Sequence, residues 1–84
     1  DPELREIVAE FLATLEVRME AIDRAFRADD TAELQRLAHW LKGSAGTVGF
    51  GCFTASAAEL ESLARSGRTT EAQGTIERIR SLQQ

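Results

Sequence analysis

From Leu4 to Phe26 the apolar residues recur at spacings of three and four: Leu4, Ile7, Val8, Phe11, Leu12, Leu15, Met19, Ile22 and Phe26. That period lays them along one stripe of a single long helix, and nowhere in the chain do Val and Ile alternate with polar residues over a strand's length. Pro2 suits the first turn, where its missing N–H costs no bond. Asp29-Asp30 interrupts the stripe, and Asp30 followed by Glu33 reads as an N-cap opening a second helix. Its inner face carries Leu34, Leu37, Ala38, Leu41, Ala45 and Val48. Gly49-Phe50-Gly51 then reverses the chain, the two glycines supplying the dihedrals a tight turn needs. A third helix directs Phe53, Ala57, Leu60, Leu63 and Ala64 inward and stops at Gly67. Thr70 with Gln73 is a second capping-box pattern, opening a fourth helix that buries Ile76, Ile79 and Leu82. Gly74 lies inside that helix at a cost of up to about 1 kcal/mol relative to Ala, which predicts fraying there. The expected fold is all-α: helices at about 3–28, 31–48, 51–66 and 70–82, joined by short loops into an antiparallel up-down four-helix bundle spanning 1–84 as a single domain.

A chain of 84 residues supports one core but not a scaffold with a deep substrate cleft, so any chemistry belongs on the surface. With 43% hydrophobic and 29% charged residues the composition is that of a globular domain. No apolar run approaches the roughly 20 residues that span a bilayer, so neither membrane contact nor a signal peptide is expected, and a cytoplasmic setting is. Acids outnumber bases 14 to 10, which argues against nucleic-acid binding. The single cysteine, Cys52, excludes a disulfide scaffold and a structural zinc site, and is expected in a turn or in the core. The first residue is Asp1 rather than Met, so we expect a piece of something longer; a C-terminal module of a signalling protein fits.

The second helix holds the anomaly. At about 100° per residue its apolar positions fill one arc, while the only histidine, His39, falls on a different face beside Gln35, Lys42, Gly43 and Gly46. Glycines inside a helix forgo about 1 kcal/mol each in propensity, so their placement beside the imidazole calls for another reason. Bare backbone there gives another protein room to approach the ring. Lys42 lies one turn from His39, where an ammonium can balance a phosphoryl group. Trp40, off both faces, is expected to pack under the first or fourth helix.

The segment Ala38-His-Trp-Leu-Lys-Gly-Ser-Ala-Gly-Thr-Val-Gly-Phe50 resembles the phosphorylation-site motif of histidine-containing phosphotransfer (HPt) domains, His-x-x-Lys-Gly followed by small residues and a glycine-ended turn. The long apolar helix before it and the Ala-x-x-Leu-Glu-x-Leu-Ala stretch from Ala57 to Ala64 are also similar to that family. The resemblance implies that His39 is phosphorylated by the aspartyl phosphate of a receiver domain and passes the group to another receiver. It implies a phosphate-supporting role for Lys42 and a cleared docking surface at Gly43, to which Gly46 and Gln35 belong by position.

Glu61 follows from geometry. His39 lies some ten residues before the reversal and Glu61 some eleven after it, so at about 1.5 Å per residue the two are level on antiparallel neighbours. A carboxylate there accepts a hydrogen bond from His39 Nδ1–H and leaves Nε2 nucleophilic. Arg65, four residues on, is the competing partner. The phosphoryl-accepting domain of chemotaxis histidine kinases has a glutamate at the matching position, so a domain phosphorylated directly by an ATP-binding kinase domain is the alternative reading. A docking module without chemistry is the other.

A lone His with a Lys lacks the metal-binding carboxylates and general base of phosphoryl-transfer enzymes. No autonomous catalysis, no metal site and no cofactor of its own are therefore expected, with Mg²⁺ supplied by the partner receiver. The expected partners are response-regulator receiver domains, together with a histidine kinase in the same chain if the parent protein is a hybrid kinase. The domain itself is expected to be monomeric.

Overall fold

The turns come first, because they decide which faces meet. The computed structural model, which describes residues 2–83, contains α1 (Pro2–Arg27), α2 (Thr31–Thr47), α3 (Gly51–Arg65) and α4 (Thr69–Gln83), with no strand among the described residues. Three helices close with the same pair of reversed backbone bonds. Asp29 N–H donates to Phe26 O (3.1 Å) and Asp30 N–H to Ala25 O (2.9 Å); Gly49 N–H donates to Gly46 O (3.3 Å) and Phe50 N–H to Ala45 O (2.9 Å). Gly67 N–H donates to Ala64 O (3.1 Å) and Arg68 N–H to Leu63 O (2.9 Å). This is the Schellman closure, which needs one left-handed residue, and Asp29 (φ 55°), Gly49 (φ 83°) and Gly67 (φ 70°) supply it.

These closures correct three expectations. Only one of the two turn glycines supplies an unusual dihedral, since Gly51 is already the first residue of α3. Thr70 is not an N-cap: α4 begins at Thr69, and Arg68, leaving the Gly67 turn, takes that place, its carbonyl accepting from Ala72 N–H at 3.1 Å. At α2 the capping box is half made. Asp30 Oδ1 accepts from Glu33 N–H (3.1 Å), but Asp30's own N–H is already spent on Ala25, so the Glu33 carboxylate turns to Arg36 instead.

Each helix packs on its chain neighbours, most extensively α2 on α3, and a thinner α1–α4 contact closes the ring, giving the up-down bundle. The core is Phe11, Leu15, Met19, Ile22 and Ala25 of α1, Leu34, Leu37, Ala38, Leu41 and Ala45 of α2, Phe53, Ala57, Leu60 and Ala64 of α3, and Ala72, Ile76 and Ile79 of α4. Burying a leucine or isoleucine fully contributes roughly 1.5–3 kcal/mol. The alanines of α2 and α3 let their backbones approach and bring polar side chains across that seam within reach of each other. Phe11 gathers Trp40, Phe50 and Phe53 at ring-centroid distances of 6.2, 5.6 and 6.2 Å, and Arg18 stands 5.0 Å over the Trp40 ring. Trp40 is thus a packing residue against α1.

The apolar stripe begins later than its sequence suggests. Leu4 is 53% and Ile7 50% exposed, Leu12 is also exposed, and burial starts at Phe11. The reason is length: α1 has 26 residues against 17, 15 and 15 in its neighbours, so its first turns overhang the bundle. Leu82, near the end of α4, is also exposed, against expectation. Gly74 is exposed within a continuous α4. No helix among the described residues is long and apolar enough to cross a membrane.

Candidate functional site

The exposed face of α2 carries His39 opposite the buried Leu34, Leu37, Leu41 arc, and its side chain is 72% solvent-accessible. Across the seam, α3 directs Glu61 inward from a helix otherwise apolar at that level, so the carboxylate is only 8% accessible. The two meet with His39 Nδ1 2.8 Å from Glu61 Oε2. A carboxylate only accepts, so Nδ1 carries the proton and donates it. In the neutral ring that leaves Nε2 as the unprotonated nitrogen, on the edge away from Glu61.

The other oxygen is also taken. Lys42 Nζ donates to Glu61 Oε1 at 2.7 Å, and an Arg65 guanidinium nitrogen stands 3.8 Å from Oε2. Two donors from α2 and a more distant cation from α3 therefore converge on one buried carboxylate. The hydrogen bond from Lys42 is the largest influence holding the Glu61 carboxyl below its ordinary range; burial opposes it and the His39 bond adds to it. Burying an anion is costly unless it is paired, so the carboxylate demands these donors and in return fixes the imidazole orientation. No buried side-chain nitrogen or oxygen among the described residues lacks a partner.

Glu61 thus meets His39 at the level expected from sequence and Arg65 also faces it, whereas the Lys42–Glu61 bond is an addition of the structure. The signal was present: Lys42 lies one turn from His39, on the α3 side of α2. Gln35 is half-buried and lines a shallow cleft with Ala32, Arg36, His39 and Glu61. Gly43 is exposed, and a Cβ built on it meets nothing within 4 Å; one on Gly46 meets only Thr54 Oγ1 at 3.9 Å. Neither glycine is required by helix–helix packing. Cys52 is exposed in the first turn of α3 and is not a core residue.

A four-helix bundle that presents one histidine to solvent and orients it by a buried carboxylate has the form of a phosphohistidine carrier module. The chain belongs to the Hpt domain family, whose model matches residues 6–84. It is therefore a histidine phosphotransfer module of two-component phosphorelay signalling, a class that works with receiver domains and kinases. No curated protein and no solved structure matches the chain.

Proposed function

We propose that the phosphoryl group is carried on Nε2 of His39, accepted from a receiver-domain aspartyl phosphate and passed to a second receiver. The supporting observation is the 2.8 Å contact between His39 Nδ1 and a buried carboxylate, in a ring that is 72% exposed. The Nε2 lone pair attacks phosphorus, the P–O bond of the acyl phosphate breaks, and the aspartate carboxylate leaves with the bond electrons. The ring becomes a phosphoimidazolium whose Nδ1–H faces Glu61, so the developing positive charge meets an anion already in place. Return of the group reverses each step.

Lys42 spends one of its three protons on Glu61, and the others remain for the phosphoryl oxygens. Gln35, Gly43 and Gly46 form the docking surface, kept low by the glycines so that the receiver's aspartate reaches Nε2. Among the described residues no three His, Cys, Asp or Glu side chains cluster as a metal-ion site. The Mg²⁺ and acidic cluster are supplied by the receiver, and the domain acts in the cytoplasm as a monomeric carrier without turnover of its own. A second reading, direct phosphorylation by an ATP-binding kinase domain, is favoured by the Glu61 contact, because the chemotaxis-kinase domains carry a glutamate there.

Incubation with radiolabelled phospho-receivers, and separately with a kinase and labelled ATP, distinguishes the two readings. The proposal predicts acid-labile label on the wild type from a receiver and none on His39→Gln. Label only from the kinase favours the second reading. Label retained by His39→Gln contradicts both, and no label from either donor leaves a docking module.

A further inference from the structure

We infer that Arg65 is a mobile second cation that moves from Glu61 onto the phosphoryl group when His39 is phosphorylated, an inference that rests on the His39 carrier reading. Glu61 carries one negative charge, yet two permanent cations face it. They are not equivalent. Lys42 Nζ is bound to Oε1 at 2.7 Å and its side chain is 37% accessible, whereas the Arg65 guanidinium is 3.8 Å from Oε2 and 63% accessible. The 3.8 Å separation is beyond hydrogen-bond length, so Arg65 is held by charge alone. Lys42 balances the charge of the carboxylate and Arg65 is the surplus.

Position makes that surplus useful. Arg65 and His39 Nδ1 approach the same oxygen, Oε2, at 3.8 and 2.8 Å, so the guanidinium and the ring nitrogen are no further apart than these two contacts laid end to end. A phosphoryl group on Nε2 brings up to two negative charges and three acceptor oxygens to the same ring. A guanidinium recognises such oxygens through paired N–H groups, and a solvated arginine changes rotamer freely. Loss of Arg65 from Oε2 leaves Glu61 with both hydrogen bonds intact, so the move opens no unpaired buried charge. The fold places Arg65 in the last turn of α3, where a cation also suits the helix terminus in the resting state.

The test is a ³¹P NMR titration of the domain phosphorylated chemically with a small phosphoramidate donor, comparing wild type, Arg65→Gln, Arg65→Lys and Arg65→Met. A cation on the phosphoryl oxygens favours the dianion, so Arg65→Gln and Arg65→Met should raise the phosphoryl titration midpoint by about half a unit or more. Arg65→Lys should restore most of the shift. Nitrogen shifts of the unphosphorylated ring should be the same in all four proteins, because Glu61 keeps Lys42 and His39. Midpoints in Arg65→Gln and Arg65→Met equal to wild type would overturn the inference while leaving the carrier reading intact. A wild type that takes no phosphoryl group on His39 would instead overturn the carrier reading itself.

Discussion

Replacing Glu61 by Gln keeps the size of the side chain and removes its charge, and the consequences can be worked from two bonds. The carboxylate accepts from His39 Nδ1 at 2.8 Å and from Lys42 Nζ at 2.7 Å, and it is 8% accessible. An amide offers one acceptor oxygen and turns its NH₂ on the other donor. Hydrogen bonds to charged groups contribute about 1.5–3 kcal/mol each, but Lys42 and His39 both reach water and rehydrate, so we expect a net loss of about 1–3 kcal/mol. In a domain of this size each kcal/mol lowers Tm by roughly 4–8 °C. The difference must depend on pH in one direction. Glu61's carboxyl lies below its ordinary 4.5 in the folded protein, foremost because of the Lys42 hydrogen bond, so its contribution is full above that value and is lost as pH falls through the folded one. Denaturation followed by circular dichroism at pH 7 and in steps below 4.5 should show the wild type and Glu61→Gln converging in acid. Phosphorylation of the variant should slow, because an amide no longer meets the developing imidazolium charge with an anion and no longer enforces the Nδ1–H tautomer. A stability gap that stays constant from neutral to acid pH would refute the reasoning, because it could not come from an ionised carboxylate.

Gly43→Gln should stabilise the isolated domain by up to about 1 kcal/mol, since its Cβ enters open space on an exposed helix face, while raising the KM for a phospho-receiver; unchanged transfer kinetics would remove Gly43 from the docking surface. Asp29→Gly should also stabilise the fold, by about 1 kcal/mol, because a non-glycine residue held at φ 55° is strained; urea denaturation that places the variant below wild type would show that the Asp29 side chain outweighs that strain.

Which parts of this molecule were legible in sequence depends on how local their causes are. The α2 arc and His39's exclusion from it follow from the 3.6-residue period alone, and the structure buries Leu34, Leu37, Ala38, Leu41 and Ala45 as that period requires. The Glu61–His39 contact was legible because one turn and two helix rises fix the level of residues on antiparallel neighbours. Periodicity does not report how far each helix has a neighbour. Leu4 and Ile7 fit their stripe and remain exposed, since burial there depends on the lengths of the other helices. Thr70 resembled a cap on chemistry alone, whereas the Schellman closure at Gly67 determines where α4 can start. The Lys42–Glu61 bond was not legible from spacing, because a lysine's reach across a seam is set by rotamer.

The most direct measurement of the central claim is a ³¹P–¹⁵N correlation spectrum of the phosphorylated domain labelled at histidine. With Nδ1 engaged by Glu61, the account predicts a phosphorus coupling to Nε2 of His39 and to no other nitrogen, together with an acid-labile signal that His39→Gln abolishes. Coupling to Nδ1, or a phosphoryl signal that survives in His39→Gln, would contradict it.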